Sequence, residues 1–151
     1  MYLCSSKNFK IKLFVSMKHL IMILFTAVIA LSFGCAVDDG IKVISVTEFS
    51  EAVNNDSAAV ILDVRTAEEF AEGHIEGAIN LNVKDAETFE NGMKALDKSK
   101  NYYVYCRSGR RSHNAAAKMQ NAGFKVVDMD GGIIAWKDAN MPVKVSLSAN
   151  K

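Results

Sequence analysis

Residues Tyr102–Ser112 read YYVYCRSGRRS, and this stretch decides the fold class. The aromatic and β-branched run Tyr102–Tyr105 predicts a β-strand that leads directly into Cys106. Ser112 is predicted to begin a helix that closes at Gly123, because glycine suits the position just after a helix end. A strand, a short loop and a helix in this order are typical of α/β domains with a largely parallel sheet.

The flanking sequence repeats this alternation of strands and helices. Thr47 is expected to cap the first helix and Thr66 the second, the latter in a capping box with Glu69. A third helix is expected over Asp85–Leu96 and a short one after Gly131-Gly132. Strands are expected at Ile41–Val46, Ala58–Leu62, Ala78–Leu81 and Phe124–Met129, and the first helix at Phe49–Val53. Since Ala58–Leu62 is apolar without alternation, the sequence predicts one α/β domain, a mainly parallel central sheet with helices on both faces.

Length and charge limit the function classes. A chain of 151 residues with 50% hydrophobic side chains suits one folded domain and is too apolar for a disordered protein. The net charge is +1, from 18 Lys+Arg and 17 Asp+Glu. This balance gives no reason to expect a nucleic-acid partner that binds by bulk charge, so none is predicted.

The first 35 residues differ from the rest of the chain. They contain four lysines and no acidic residue, and Leu20–Phe33 is an unbroken apolar run that is shorter than a membrane-spanning helix. This pattern predicts a secretory signal peptide over residues 1–35, with Met1 or Met17 as the start. A linker is expected at 36–40, followed by the folded domain at 41–151.

The end of the apolar run resembles the lipobox of bacterial lipoproteins. Gly34-Cys35 follows Leu31-Ser32-Phe33, although the lipobox usually has leucine at the place of Ser32. We predict cleavage before Cys35, lipidation of its thiol, and an exported protein tethered to a membrane and facing the periplasm or the cell surface. Ordinary signal cleavage nearby and an uncleaved anchor are the alternatives.

Cys106 is the only cysteine of the predicted domain, since Cys4 and Cys35 belong to the leader. It lies at a strand-to-helix corner, where backbone amides and a helix start favour anions. Such surroundings lower a cysteine pKa from about 8.5 to roughly 3.5–7.5. Three arginines follow it closely and would attract a small oxyanion, namely Arg107, Arg110 and Arg111. The sequence therefore predicts a nucleophilic thiolate at the mouth of an anion cradle, and the alternative is a buried structural cysteine.

Four blocks in fixed order resemble the rhodanese domain, the fold of thiosulfate and related sulfurtransferases, over about Ile44–Val143. The blocks are Leu62–Arg65 followed by Glu69-Phe70, then Gly73–Asn80, then Cys106–Ser112, and last Gly131–Trp136 with Pro142 beyond it. Where the family usually has glycine shortly before that proline, this chain has Asn140, which also tolerates left-handed backbone.

The resemblance implies a role for each residue of the loop. Cys106 would take a sulfane sulfur from a small anionic donor, become a persulfide, and pass the sulfur to a thiol or a thiol protein. This is covalent catalysis in two steps and needs neither a metal nor another cofactor. The loop amides would hold the persulfide, and the arginines would steer the donor. The substrate-binding set is Arg107, Ser108, Gly109, Arg110 and Arg111.

Other polar residues of the blocks are expected to be structural. Asp63 and Arg65 should form an ion pair near the sheet edge, and His74 should shape a turn below the site. His113 is expected to be solvated, although it could tune the thiolate. Trp136 should lie in the core, and the glutamates of the second helix should form a solvated face; these are Glu68, Glu69 and Glu72.

Two other functions use related folds. Cysteine-dependent phosphatases and arsenate reductases have five residues between the cysteine and an arginine, whereas four separate Cys106 from Arg111. The shorter loop suits a single sulfur atom. The second possibility is a non-catalytic binding module, which is expected when the cysteine is lost, but here it is present. A carrier that passes sulfur to a partner protein uses the same chemistry and cannot be separated by sequence.

Overall fold

The computed structural model describes residues 40–145. The predicted signal peptide, the lipidation site at Cys35 and all but the last residue of the predicted linker lie outside the described residues. The strands are β1 (Lys42–Ile44), β2 (Ala59–Asp63), β3 (Ile79–Asn80), β4 (Asn101–Tyr105) and β5 (Lys125–Met129). The helices are α1 (Val46–Asn55), α2 (Ala67–Ala71), α3 (Ala86–Lys94), α4 (Arg110–Asn121) and α5 (Gly132–Asp138). None of these five helices is long and apolar enough to cross a bilayer.

The five strands form one parallel sheet in the order β1-β5-β4-β2-β3. β4 is central, with Tyr103 paired to Ile61 of β2 on one side and to Val127 of β5 on the other. Parallel strands end at the same edge, so the segments that follow β2, β4 and β5 meet there. The predicted α/β class and mainly parallel sheet are confirmed.

Two apolar cores lie on opposite faces of the sheet. On one face α1 and α5 cover β4, and Phe49 and Trp136 pack there with Tyr103. On the other face α3 and α4 contribute Phe89 and Met119 to the second core. Neighbouring strand residues belong to different cores, because side chains alternate across a strand. Helices therefore cover both faces, and Trp136 is a core residue as expected.

The start of the domain differs from the sequence prediction. Ser45, rather than Thr47, caps the first helix: its hydroxyl accepts from the Glu48 amide, and the Glu48 carboxylate accepts from the Ser45 amide at 2.9 Å. This capping box starts α1 at Val46 and shortens β1 to three residues. The helix also continues past Val53, where the sequence prediction ended it, and ends at Asn55. The capping box of Thr66 and Glu69 at the start of α2 is confirmed.

The helix after the loop begins two residues earlier than predicted. Gly109 is its N-cap, so Arg110 and Arg111 belong to the first turn of α4, and Ser112 lies inside the helix. Gly123 follows the helix end with φ 87°, as predicted. Asn140 has φ 55°, the left-handed backbone expected of the residue in the place of the family's glycine.

Candidate active site

Cys106 directly follows the central strand β4, at the carboxyl edge of the sheet. Gly109 turns the chain into α4 with φ 91°, a conformation that glycine adopts without the penalty of a side chain. Its carbonyl accepts from the His113 amide at 2.9 Å and so starts the helical hydrogen bonds. The loop between strand and helix therefore consists of only four residues, Cys106–Gly109.

The turn at the start of α5 supports the loop through backbone hydrogen bonds. The amides of Ile133 and Ile134 donate to the carbonyls of Cys106 and Arg107 at 2.8 and 3.2 Å. Gly132 makes this contact possible, because a Cβ there would lie 2.5 Å from the Cys106 oxygen, and its φ is 59°. Gly132 thus lets the start of α5 approach the loop closely enough to hold the carbonyls of Cys106 and Arg107 by hydrogen bonds.

Replacing Gly132 with alanine is expected to displace the loop. The left-handed backbone and the contact with the Cys106 carbonyl together cost about 2–3 kcal/mol of unfolding free energy. Displacement of the reactive sulfur by about 1 Å should lower the rate of the sulfur transfer expected from the sequence about 100-fold. Chemical denaturation measures the first effect, and turnover of thiosulfate, the donor class expected from the sequence resemblance, measures the second.

Gly77 provides the matched control for this substitution. It also has positive φ, 79°, but nothing lies within 4 Å of a Cβ built there. Gly77→Ala should reduce the unfolding free energy by about 1–2 kcal/mol, which is the cost of a side chain on left-handed backbone. The variant should keep its activity. Equal activity losses in the two variants would contradict a specific role for the Gly132 contact.

The sulfur of Cys106 is buried between apolar side chains and several hydrogen-bond donors. The residue is 1% exposed and contacts the second core. Burial by itself raises the pKa of a thiol, but four hydrogen-bond donors outweigh it and lower the pKa of Cys106 below its usual value. They are the hydroxyl and amide of Ser112 and the amides of Ser108 and Arg111. Because Cys106 is buried, its sulfur lies inside the predicted cradle and not at its mouth, where the sequence placed it.

We expect Cys106 to react as a thiolate at a lower pH than an ordinary cysteine. The pH midpoint of its alkylation by iodoacetamide should lie below the value of about 8.5 for a free thiol. The same protein in denaturant is the reference, and Ser112→Ala should move the midpoint upward because it removes one donor. A native midpoint at or above that of the denatured chain would contradict the hydrogen-bonded thiolate.

Arg111 is held by Glu69, which lies in α2. The guanidinium donates two hydrogen bonds of 2.7 Å to the carboxylate and also contacts the Cys106 sulfur. The hydrogen bonds from Arg111 lower the pKa of Glu69 from 4.5 to about 2, so the pair is complete above pH 4.5 and is lost as the pH falls through about 2. The prediction that Glu69 belongs to a solvated face was wrong, because the fold brings Arg111 to it.

The remaining loop residues form the rim of the cradle. The side chains of Arg107, Ser108 and Arg110 are exposed, and Gly109 is half-buried. Arg111 is the arginine next to the sulfur, whereas Arg110 lines a separate cavity with His113 and Asp128. Only Arg111 is shown next to the cysteine, so the predicted attraction of an anion by Arg107 and Arg110 stays a prediction.

Asp63 and Arg65 form the expected structural ion pair. Arg65 donates through Nε and Nη2 to the carboxylate, at 3.0 and 2.6 Å, and both side chains are buried. Arg65 Nη2 also donates to the Gly73 carbonyl at 2.8 Å, and the Asn80 amide donates to the carbonyls of Asp63 and Arg65. The pair therefore ties the end of β2 to the segment between α2 and β3.

His74 has a structural position, as expected. Its ring stacks on Phe70, and its Nδ1 lies 2.9 Å from the Phe70 carbonyl oxygen. Its backbone exchanges two hydrogen bonds with Lys144, of 2.9 and 2.8 Å. The next amide, of Ile75, donates to the hydroxyl of Tyr105, the last residue of β4. The turn containing His74 thus fixes the strand that carries Cys106.

A comparison with known families identifies this arrangement. The sequence profile of the rhodanese-like domain matches residues 45–139, which include the cysteine loop, the Asp63–Arg65 pair and the two glycines behind the loop. The chain belongs to the rhodanese-like domain family. A rhodanese-related protein from Thermoplasma volcanium has a similar crystal structure, with a TM-score of 0.62 and 30% identity, over 69% of this chain and 98% of that one.

Related rhodanese-like proteins carry sulfurtransferase names. The chain is 38% identical to the putative sulfurtransferase YtwF of Bacillus subtilis, over 68% of this chain and 96% of that protein. It is 39% identical to thiosulfate sulfurtransferase 16 of Arabidopsis thaliana, over 55% of this chain and 78% of that protein. The similarity supports a sulfurtransferase of the rhodanese family.

Two residues of this rhodanese-like site were missed from the sequence. Ser112 was placed in the cysteine block as a helix start and not among the site residues, but its hydroxyl lies within reach of both the sulfur and the Gly109 carbonyl, 2.8 Å away, and its one proton can go to either. Asp128 is 2% exposed, and burial raises its pKa. His113, expected to be solvated, is half-buried with Nδ1 3.4 Å from Asp128 Oδ2. A carboxylate inside the apolar strand Lys125–Met129 was the available signal for Asp128.

The described residues contain no group of three or more His, Cys, Asp or Glu side chains arranged to hold a metal ion.

Proposed function

We propose that this protein transfers a sulfane sulfur through a persulfide on Cys106. The observation that carries the proposal is the convergence of four hydrogen-bond donors on one buried sulfur at the start of α4. These donors stabilise a thiolate without a neighbouring base, which is one way to activate a sulfur nucleophile. Arg111 adds a positive charge beside the same atom.

The first step loads the cysteine. The Cys106 thiolate attacks the outer sulfur of thiosulfate, the S–S bond of the donor breaks, and its electron pair leaves with sulfite. The new persulfide carries the negative charge on its outer sulfur, where the loop amides can stabilise it. In the second step a thiophilic acceptor attacks that outer sulfur, and the electrons of the broken bond return to the Cys106 thiolate.

Thiosulfate is the donor that we propose, because two observations favour a small anion. Arg107 and Arg110 lie exposed at the rim, and the loop is one residue shorter than the phosphate-binding loops of cysteine phosphatases. A relative named thiosulfate sulfurtransferase supports the same donor. The shorter loop also gives less support to phosphatase or arsenate reductase activity, and the hydrogen-bonded thiolate gives less support to a purely binding role.

The test is to react the protein with thiosulfate and to measure its intact mass. After incubation with thiosulfate and removal of excess reagent, the intact mass should rise by about 32 Da, the mass of one sulfur atom bound to an activated thiol. Peptide mapping should place this mass on Cys106, and cyanide should remove it. A chain blocked beforehand with iodoacetamide should gain nothing. Hydrolysis of an aryl phosphate at a rate that matches sulfur transfer would contradict the proposal.

We also propose that the protein works outside the cytoplasm, tethered through lipid on Cys35. The support is the acid-free, lysine-containing leader and the sequence Gly34-Cys35 that follows its apolar run. Intact-mass measurement of the membrane fraction should give a chain that begins at Cys35 with acyl groups attached. A soluble product cut at another position would contradict lipidation.

A further inference from the structure

The Ser112 hydroxyl lies among three hydrogen-bond acceptors. Within its reach are the Cys106 sulfur, the Gly109 carbonyl and the Asp128 carboxyl. A hydroxyl has one proton to donate, so it serves one of these acceptors at a time. The carbonyl is always neutral, whereas the sulfur and the carboxyl gain a negative charge when they ionise. The sulfur and the carboxyl are therefore the two groups that compete for this proton.

Asp128 is buried with an incomplete set of hydrogen-bond donors. The residue is 2% exposed, and its Oδ1 accepts no hydrogen bond from the described residues. Burial raises the pKa of Asp128 above its usual value, because a buried carboxylate loses its hydration. The Ser112 hydroxyl opposes this effect and lowers the pKa, since its proton stabilises the carboxylate. An ionised Asp128 is thus stabilised by the same proton that the Cys106 thiolate uses.

The other groups around Asp128 supply no second proton to this oxygen. His113 of α4 has its Nδ1 3.4 Å from Oδ2, on the other side of the carboxyl group from Oδ1. On the neighbouring strands β1 and β4, the residues paired with Asp128 are the apolar Val43 and Val104. The charged side chains that line the same cavity as Asp128 and His113 are exposed, so water screens them; these are Arg110 and Asp130.

We propose that Asp128 is a positioning residue that competes with the Cys106 sulfur for the hydroxyl proton of Ser112. The proposal rests on the persulfide function given above. While the Cys106 thiolate attacks the donor, the ionised carboxylate draws the hydroxyl away, and a thiolate with fewer hydrogen bonds is the stronger nucleophile. When the acceptor takes the outer sulfur, the electron pair of the broken bond returns to Cys106. The hydroxyl then turns to the sulfur and stabilises the thiolate as it leaves, without any transfer of its proton.

The pH midpoint of Cys106 alkylation tests this competition. Asp128→Asn removes the charge, and the new amide can donate to the hydroxyl oxygen, so the hydroxyl proton should go to the sulfur. The midpoint should fall by about one pH unit, the effect expected of one added hydrogen bond to a charged group. Asp128→Asn in a Ser112→Ala background should leave the midpoint where Ser112→Ala alone puts it. No fall in the single variant, or an equal fall in both backgrounds, would overturn the proposal.

The matched control is Asp130→Asn, which removes the same charge two residues further along the chain. Asp130 lines the same cavity as Asp128, but it is exposed. The midpoint of this variant should equal that of the wild type. A fall as large as that of Asp128→Asn would overturn the proposal, because it would show that the charge of the cavity, and not the Ser112 hydroxyl, acts on the sulfur.

The two half-reactions separate positioning from distortion of the site. Above both alkylation midpoints, loading of Asp128→Asn with thiosulfate should be about 3-fold slower, because thiolate nucleophilicity falls about 2.5–3-fold for each unit by which the thiol pKa falls. Discharge of its persulfide to cyanide should be faster, because a thiolate of lower pKa is the better leaving group. Slower rates in both half-reactions would mean that the substitution only distorts the site, and would contradict the proposal.

A measurement on the wild type needs no variant of Asp128 to fold. The NMR signal of the Asp128 carboxyl carbon should show an inflection at the pH where Cys106 ionises, since the hydroxyl then turns from the carboxylate to the sulfur. The inflection should vanish when iodoacetamide blocks Cys106, and also in Ser112→Ala. Its absence from the wild type, or its persistence in Ser112→Ala, would overturn the proposal.

These measurements are independent of sulfur transfer. If the persulfide forms but Asp128→Asn leaves the alkylation midpoint unchanged, the role of Asp128 is wrong and the sulfur-transfer function holds. If the midpoint falls as expected in a protein that never forms a persulfide, the sulfur-transfer function is wrong and the competition for the Ser112 proton holds.

Discussion

Replacing Cys106 with serine is expected to reduce sulfur transfer from thiosulfate by at least about a thousandfold, which is typical for loss of an essential nucleophile. The persulfide needs a sulfur atom, and a serine hydroxyl at this position remains protonated and cannot hold one. Thiosulfate turnover with cyanide as acceptor measures the loss, and the mass increase on loading should disappear.

The fold should survive this substitution. Serine is smaller than cysteine and can use the donors of Ser112 and Ser108 that now contact the sulfur, so we expect a loss of about 1 kcal/mol in unfolding free energy. Chemical denaturation of the purified variant checks this value. A Cys106→Ser protein that kept full biological activity would instead favour the binding-module alternative.

Much of this site could be predicted from local sequence. The residues from Tyr102 to Tyr105 are aromatic or β-branched, and a loop that holds Gly109 leads from them into a helix, which is enough to place Cys106 at a strand-to-helix corner. The capping box at Thr66 and the glycine after α4 also depend only on neighbouring residues. These features are formed by residues close together in the chain, so residue type and spacing were enough to predict them correctly.

Contacts between distant segments were not predictable in the same way. Arg111 and Glu69 are 42 residues apart, and their pairing depends on how α2 and α4 lie at the carboxyl edge of the sheet. Asp128 is buried where it faces α4, and the apolar strand around it indicates its burial but not its partner His113. The start of α1 was misplaced for another reason, since Ser45 and Thr47 can both act as caps and only Ser45 has Glu48 three residues later.

The buried pair of Asp63 and Arg65 was predicted as structural, and its removal gives the largest stability effect that we expect. Asp63→Ala should reduce the unfolding free energy by about 3–5 kcal/mol, because it leaves the guanidinium of Arg65 buried without its counter-charge. Arg65 also holds the Gly73 carbonyl, so the turn before His74 should loosen as well. Chemical denaturation gives the free energy, and hydrogen exchange at Ile75 reports the turn.

The ion pair of Glu76 and Lys144 is the control that separates burial from charge. Its nitrogen and oxygen are 3.4 Å apart and its side chains are 80% and 62% exposed, whereas those of Asp63 and Arg65 are 0% and 5% exposed. Glu76→Ala should change the unfolding free energy by at most about 1 kcal/mol, since water screens an exposed pair. Similar losses of unfolding free energy in the two variants would mean that burial does not make the Asp63 pair more important for stability than an exposed pair. A large loss for Asp63→Ala alone would mean that β2 and the turn that supports β4 depend on this buried pair, and that the position of Cys106 depends on it through them.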